Sequence, residues 1–170
     1  MKYNSVDEID TISFRDAAIV RCVFSAKQGI LEFELDGAMV RENNSANELF
    51  SDRYVRDMQV RFVNPEVEAI LLEGHKYYDA NDVLQSEVPD YELSVVETAE
   101  FPKSCAGAYL FEMKRDADGY VLGIEFVDPE DQTVGNSYQV YVTGTQVAML
   151  WEQYMNRVPV SYTHLTLPTI

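Results

Sequence analysis

AAIVRCVFSAKQGILEFELDGAMVR, residues 17–41, is the stretch that decides the fold. It reads as two β-strands joined by a tight turn, in which Gly29 supplies the positive φ that such a connection needs. In the second strand Leu31, Phe33 and Leu35 alternate with acidic residues, and a period of two is typical of a half-buried strand. The first strand alternates less regularly, so we expect both of its faces to be partly covered. The stretch therefore predicts a hairpin in the main sheet, with Phe33 facing the core.

The acidic residues of the second strand, Glu32, Glu34 and Asp36, form a row on the face opposite the core. The simplest interpretation of this row is a solvated surface. The alternative is that the row binds a cation or a basic partner. These three residues are therefore the candidate partner-binding face.

Alternation and turn residues predict further strands downstream. Residues 42–53 are polar and predict a long exposed loop. Residues 54–63 predict a strand, and residues 67–72 predict its partner, with Val67, Ala69 and Leu71 on one face, across the turn at Asn64-Pro65. Residues 75–82 predict the end of a strand that runs into a turn closed by an Asp or Asn side chain.

A second hairpin is predicted over residues 108–127, because Asp118-Gly119 is a strong hairpin signal. Its first arm alternates Tyr109, Phe111 and Met113, which are expected on one face. Residues 138–142 predict another strand. Residues 146–155 fit both helical and strand spacing, and we favour a strand because a hairpin across Gly144 is the shorter solution.

One short helix is predicted near residues 91–101, where Leu93, Val96 and Phe101 recur at helical spacing. It is expected to end near Pro102, because the residue before a proline disfavours the α region. The predicted fold class is therefore mostly β (α+β), an antiparallel meander, sandwich or open barrel of about seven to nine strands with this one helix.

We expect the end of the sequence to have a different origin. Residues 160–169, VSYTHLTLPT, are the translation of a common transposase sequencing adapter in one reading frame. We therefore expect residues 159–170 to be adapter read-through rather than native protein, and we exclude them from fold reasoning. Residues 1–158 are then expected to form a single globular β-rich domain, truncated at its C-terminus.

The charge balance is strongly acidic. The sequence contains 13 lysine and arginine residues and 29 aspartate and glutamate residues, which gives a net charge of −16. Binding to nucleic acid or to an anionic membrane depends on basic residues, so we expect neither partner. A macromolecular partner is expected to be a basic protein. With no apolar signal segment near Met1 and no run long enough to span a membrane, we expect a cytoplasmic location.

Familiar catalytic motifs are missing from the sequence. His75 is the one histidine outside the excluded tail, and a zinc site would require it to converge with Cys22 and Cys105, which form no C-x-x-C pair. Asp79-x-Asn81 matches a calcium loop poorly, because leucine stands where the loop's glycine belongs. We expect no metal and no cofactor. A pair of carboxylates acting as acid and base stays open, since sequence alone does not show which of them meet.

Two motifs carry a resemblance to known proteins. Phe14-x-Asp16-x-x-Ile19 and Lys76-Tyr-Tyr-Asp-Ala-Asn81 resemble a group of short uncharacterised proteins from anaerobic Gram-positive bacteria, over most of residues 1–158. The aromatic-x-Asp-x-x-Ile opening also resembles that of small β-rich proteins, some of them immunity proteins of toxin systems. Many of those have histidine where Arg15 stands here. Neither resemblance implies catalytic residues.

Three hypotheses of function remain after this reading. The first is a non-enzymatic domain whose acidic face binds a basic protein, with an immunity-type inhibitor as one form. The second is a small carboxylate-dependent hydrolase or lyase, which requires two close carboxylates in a concave pocket. The third is a structural or regulatory subunit with an exposed apolar patch, expected around Trp151. The sequence favours a non-enzymatic role.

Overall fold

The computed structural model describes residues 1–128, 130 and 135–155. The predicted tail at 159–170 lies outside the described residues. The predicted class is confirmed, because the described chain is mostly antiparallel β-structure with one short helix, α1 (Val95–Ser104), and a single 3₁₀ turn at Ile9–Thr11. The strands are β1 (Tyr3–Val6), β2 (Ile12–Ser13), β3 (Ala18–Ser25), β4 (Ile30–Asp36), β5 (Ala38–Val40), β6 (Arg53–Arg56), β7 (Met58–Val63), β8 (Glu66–Leu72), β9 (His75–Tyr78), β10 (Leu84–Val88), β11 (Tyr91–Glu92), β12 (Tyr109–Asp116), β13 (Gly119–Val127), β14 (Gly135–Thr143), β15 (Gln146–Trp151) and β16 (Gln153–Tyr154).

These strands are shorter and more numerous than the seven to nine expected, because the chain breaks several predicted strands in two. The predicted strand at 54–63 is interrupted at Asp57, whose φ is 52°, and this left-handed residue separates β6 from β7. β6 then joins a small sheet in the order β16-β6-β5-β2, while β7 joins the main sheet.

The main sheet has the order β1-β15-β7-β4-β3-β12-β13-β14-β8-β11. Its centre is weak, since β3 and β12 share a single residue pair, Ala18 opposite Tyr109. The sheet is therefore two five-stranded halves that face each other across one core. Phe62 on β7 and Tyr120 on β13 meet edge to face in that core, with ring centroids 5.4 Å apart.

The organising hairpin forms as predicted. β3 pairs with β4 around a turn at Gly29, whose φ is 63°. Leu31, Phe33 and Leu35 are all buried, as their alternation predicts. The irregular first arm has a bulge between Ile19 and Arg21, which shifts the register and explains why its apolar residues do not alternate evenly.

Two predicted strand pairings are wrong. β8 is not the partner of β7, because β7 lies between β4 and β15 whereas β8 lies between β14 and β11. On β8 the buried residue is Ile70, while Val67, Ala69 and Leu71 are only partly covered. The residues at 146–155 are strands, as predicted, but β15 does not pair with β14.

Both pairing errors have one physical cause. The short connections at Asn64-Pro65 and Gly144 carry the chain from one half of the sheet to the other, so the strands on either side of each connection have different neighbours. The two connections lie side by side, since the backbone N–H of Thr145 donates to the Val63 carbonyl at 3.0 Å. A short turn between two alternating segments therefore does not make them partners here.

The second hairpin is confirmed, with β12 and β13 paired around residues 117–118. A bulge between Leu110 and Glu112 alters the inward face of β12. Leu110 is buried together with Met113, whereas Tyr109 and Phe111, which the simple alternation places on the Met113 face, are only partly buried. The bulge is the reason for the difference, because one extra residue reverses the alternation.

The helix is displaced from its predicted start. It begins after Ser94, whose hydroxyl accepts from the Glu97 N–H while the Glu97 carboxylate accepts from the Ser94 N–H. This reciprocal capping box fixes the first turn. Residues Tyr91–Glu92 form β11 instead, paired with the end of β8. Pro102 lies inside the last turn of α1 rather than ending it.

The predicted exposed loop at 42–53 is anchored by two buried asparagines. The Asn44 side-chain amide donates to the hydroxyls of Ser5 and Thr11, at 2.9 Å in each case. The Asn47 amide donates to the backbone carbonyls of Val40 and Arg41, at the end of β5, and of Ser51 in the loop. The loop is thus a fixed part of the surface, tied to the N-terminal strand.

No helix in the described ranges has the length and apolar character needed to cross a membrane.

Candidate functional site

The acidic row of β4 is partly neutralised by its neighbours. Glu34 lies 3.6 Å from the Arg21 side chain on β3, and Glu32 lies 3.5 Å from the Arg61 side chain on β7. Because β4 lies between these two strands, each carboxylate faces an arginine across the ladder. Two of the three predicted partner-binding residues therefore already have basic partners within the sheet.

Asp36 lies apart from these ion pairs, at the exposed end of β4. Partial burial raises the pKa of its carboxyl, the nearby charge of Asp57 raises the pKa further, and Arg56 opposes both effects. The structure therefore does not join Glu32, Glu34 and Asp36 into one continuous anionic patch.

A second acidic surface extends from the edge of the sheet. We call residues 75–88, which comprise β9, its turn and β10, the arm. β9 and β10 pair only with each other, as a two-stranded sheet, and every residue of the arm is exposed. The arm continues the ribbon that β8 and β11 form at the sheet edge.

Both faces of the arm have apolar side chains in water. Tyr78 lies opposite Leu84 on one face, whereas on the other His75 lies opposite Val88 and its ring is 6.2 Å from that of Tyr77. The two tyrosines are 54% and 56% exposed. An isolated two-stranded hairpin is marginally stable in water, so this ribbon lacks the packing that usually maintains one.

Local contacts hold the arm in shape. At its tip the Asp79 carboxylate accepts from the N–H groups of Asn81 and Val83, which confirms the predicted side-chain-closed turn. At its root the Gly74 N–H donates to the Asp90 carboxylate at 2.7 Å. A Cβ on Gly74 would overlap the Val88 carbonyl, so only glycine permits the close approach of the two chains there.

The arm and the segments beside it are the most one-sided part of the charge distribution. Residues 73–100 contain eight carboxylates and one basic residue, Lys76. Lys76 itself lies 3.9 Å from Glu87 across the arm. In contrast to the β4 row, most of these carboxylates have no arginine or lysine within salt-bridge distance among the described ion pairs.

The start of α1 extends this surface. Val95 and Val96 are 87% and 72% exposed, which is unusual for aliphatic residues on a helix. Beside them a groove of about 470 Å³ opens between the helix and β14, with Leu93, Phe101 and Tyr138 in its lining. The arm, β11 and α1 therefore present apolar side chains and carboxylates together over one continuous stretch of chain.

The two cysteines meet, but His75, which a zinc site would also require, does not join them. Cys105 follows α1 and is fully buried, and its thiol donates to the Phe101 carbonyl at 3.3 Å. A hydrogen bond with the Cys22 thiol, together with burial, raises the pKa of Cys105 far above its ordinary range. His75 is on the exposed arm. Within the described ranges no three His, Cys, Asp or Glu side chains gather in a way that could hold a metal ion.

The requirements of the other two hypotheses are less well met. The apolar cavity of about 20 Å³ between the two halves of the sheet, beside Phe101, is roughly the size of one water molecule and too small for an organic substrate. Glu97 and Glu100 line the larger groove beside α1, but the pKa of Glu97 is lowered there, whereas a general acid requires a raised one. Trp151 is fully buried and stacks on Tyr3 at 5.8 Å, so the apolar patch expected around it is wrong. Exposed apolar side chains lie on the arm and α1 instead, and also at other places such as Phe50, which is 88% exposed in the loop at 42–53.

Sequence reasoning missed the arm because β10 shows no regular alternation of apolar and polar residues. The available signal was the cluster Asp79-Ala-Asn-Asp82 between Tyr77-Tyr78 and Val83-Leu84, a turn flanked by strand formers. No pattern of residues in the arm predicted that both of its faces are exposed.

Comparisons of the chain with protein-family models, with curated proteins and with solved structures find no match.

Proposed function

We propose that the protein is a non-enzymatic binding domain for a basic protein, and that the arm and α1 form its contact surface. The observation that carries the proposal is the combination of exposed aromatic side chains with eight carboxylates in residues 73–100. An inhibitor of the immunity type, which covers a basic surface on a toxin, is one form that such a domain takes.

The two features of this surface have different physical roles. The carboxylates, with the overall charge of −16, attract a basic partner over distances of about a Debye length and accelerate its association. Tyr77 and Tyr78 supply area that is removed from water on contact, and buried tyrosines are frequent sources of binding energy. The β4 row is expected to contribute less, because Arg21 and Arg61 already face Glu34 and Glu32.

The charge of the arm also favours a different protein over a second copy of this chain. Two arms brought together would place like charges close to one another, at a cost in free energy that rises as salt is lowered. The proposal locates the protein in the cytoplasm, where neighbouring thiols such as those of Cys22 and Cys105 remain reduced. Nucleic acid is disfavoured as a partner by the same acidic balance.

The test begins with capture of partners from bacterial lysate on the immobilised chain, at low and at high salt. A captured protein is then purified and its Kd measured for the wild type, for Y77S/Y78S and for E32Q/E34Q. We expect one basic protein bound in a 1:1 ratio, with affinity that falls steeply as salt rises. Y77S/Y78S should weaken binding by about tenfold or more, the change expected from losing interfacial tyrosines, whereas E32Q/E34Q should have a small effect.

Y77S/Y78S changes exposed side chains and E32Q/E34Q changes partly exposed ones, so the fluorescence of Trp151 should show that each variant remains folded. Capture of no basic protein by the folded wild type at low salt would contradict the proposed function. Binding whose affinity changes neither with salt nor in Y77S/Y78S would show that the arm is not part of the contact surface.

A further inference from the structure

We propose that the groove beside α1 receives an arginine side chain of the basic partner. This inference rests on the proposed function and names the chemistry of one position within the contact surface. Three features support it: the aromatic lining of the groove, the carboxylates of Glu97 and Glu100 on the adjacent face of α1, and the weak ion pair between Glu100 and Lys103.

The groove has an aromatic floor. The rings of Phe101 and Tyr138 meet edge to face with centroids 5.0 Å apart, and the ring of Phe126 lies 5.3 Å from that of Tyr138. Phe101 is buried while Tyr138 and Leu93 are partly exposed, so part of the floor reaches solvent. An aromatic surface at the base of an open groove attracts the flat face of a cation.

Glu97 and Glu100 border this floor, one helical turn apart on the same face of α1. Glu97 is held in place, because its carboxylate accepts from the Tyr91 hydroxyl at 2.6 Å and from the Ser94 N–H at 3.0 Å. The Tyr91 hydrogen bond, followed by those of Ser94, keeps the pKa of Glu97 below its ordinary range. The carboxylate is therefore ionised at neutral pH and already oriented before any partner arrives.

Glu100 has a cation beside it that is easily displaced. The Lys103 ammonium lies 3.3 Å from the Glu100 carboxylate, but the lysine side chain is 77% exposed and the pair is separated by only three residues on one helix. Exposed pairs of this kind contribute little to stability. A guanidinium from a partner can take the place of Lys103 at Glu100 while the lysine returns to water.

The combination of an aromatic floor and carboxylate walls favours arginine over lysine. A guanidinium is planar and weakly hydrated, and it can stack on a ring while it donates two parallel hydrogen bonds to a carboxylate. A lysine ammonium is a compact and strongly hydrated charge that gains less from the rings. The volume of about 470 Å³ is ample for one such side chain.

Tyr138 offers a spectroscopic reporter of occupancy. Burial raises the pKa of its phenol, the neighbouring Cys105 thiol raises it further, and so does the negative charge of Glu97. A guanidinium placed beside Glu97 would offset that negative charge and lower the Tyr138 pKa. A purely structural role of the groove predicts no such change.

The experiment titrates the chain with the peptide acetyl-Ala-Arg-Ala-amide and follows Leu93, Phe101 and Tyr138 by NMR. The control peptide replaces arginine with citrulline, which has nearly the same shape without the charge. We expect saturable shifts at these residues with the arginine peptide, a lowered Tyr138 pKa, and an affinity for the citrulline peptide weaker by about tenfold or more, as expected for loss of a charge-assisted contact.

Matched variants locate the site. E97Q/E100Q should weaken the arginine peptide by about tenfold or more, since it removes both charges, yet glutamine preserves the capping box at position 97. E32Q/E34Q removes the same charge from the β4 row and should leave binding at α1 unchanged. K103A should strengthen binding, because it removes the internal competitor.

Equal binding of the two peptides, an unchanged affinity in E97Q/E100Q, or shifts confined to the β4 row would overturn the inference. If the captured basic protein still binds and depends on Tyr77 and Tyr78, the proposed function stands without the groove. If neither that protein nor the peptide binds the folded chain, both proposals fail.

Discussion

The hydroxyl of Tyr120 makes a partly buried contact whose loss should be measurable across a wide pH range. The hydroxyl donates to the Asp7 carboxylate at 2.7 Å, and the same carboxylate oxygen accepts from the Val147 N–H at 2.9 Å. This contact ties the N-terminal segment to β13 and β15. Burial first, then the hydrogen bond and charge of Asp7, raise the pKa of Tyr120 to about 12, against the opposing charge of Arg115.

Tyr120→Phe retains the buried ring and its contact with Phe62 but removes the hydroxyl. A hydrogen bond to a charged acceptor contributes about 1.5–3 kcal/mol, so the variant should lose about that much unfolding free energy at pH 7. A tyrosine whose folded pKa lies above its unfolded value gives stability that is complete below about pH 10 and is lost as pH rises through about 12. The rise of about two pH units corresponds to at most roughly 2.7 kcal/mol.

The assay is urea unfolding followed by the fluorescence of Trp151, the single tryptophan and a fully buried one, at several pH values from 7 to 12. The gap in unfolding free energy between wild type and Y120F should be constant up to about pH 10 and should then narrow. Y77F, at an exposed tyrosine, should follow the wild type throughout. A gap that is absent at pH 7, or that persists unchanged at pH 12, would refute the assignment of this stability to the Tyr120 hydroxyl.

Three further substitutions test other contacts. Burial raises the pKa of Glu8, but hydrogen bonds from Ser45 and Ser5 outweigh this effect and leave the pKa below its ordinary value. E8Q should therefore lose about 1–2 kcal/mol of unfolding free energy at pH 7. The difference from wild type should disappear as pH falls below about 4, as measured by unfolding at a series of acid pH values. Because the pKa of Asp36 is raised, its ionised carboxylate destabilises the folded state, and this cost is absent in acid, where the group is protonated. D36N should therefore be more stable than wild type at pH 7, by less than about 0.5 kcal/mol because the side chain is exposed, and no more stable at pH 3, as measured by calorimetry. Gly74→Ala should open the root of the arm and speed its amide hydrogen exchange, while Trp151-monitored unfolding changes little; unchanged exchange in the arm would contradict the role of this glycine.

The parts of the fold that the sequence predicts are those set by neighbouring residues. The alternation of Leu31, Phe33 and Leu35 locates a buried face because a strand turns every second side chain to the same side. Asp118-Gly119 locates a hairpin because aspartate and glycine favour chain reversal; the observed turn residues are Ala117 and Asp118, with Gly119 paired to Asp116. In both cases the deciding physics lies within about ten residues of chain.

The parts that the sequence does not predict depend on distant partners. The alternation in β7 predicts which of its faces is buried. It does not predict that β7 pairs with β4 and β15, because that pairing depends on strands distant in the sequence. The Glu32 row looks like a bare acidic face until Arg61, from another strand, is placed beside it. The helix starts later than the apolar spacing predicted, because the capping box of Ser94 and Glu97 fixes its first turn. The candidate contact surface was missed for the same reason, because exposure of the arm is a property of the assembled sheet.

The place of β15 between β1 and β7 has a consequence for synthesis on the ribosome. The two strands that flank this slot are complete by Val63, whereas the strand that fills it starts at Gln146, about 80 residues later. At typical elongation rates the slot stays open for roughly 4 to 16 s in every molecule made. During that interval the nascent chain presents unpaired strand edges that any other nascent chain can occupy. We therefore expect the yield of folded protein to depend on how quickly the chain between β7 and β15 is translated.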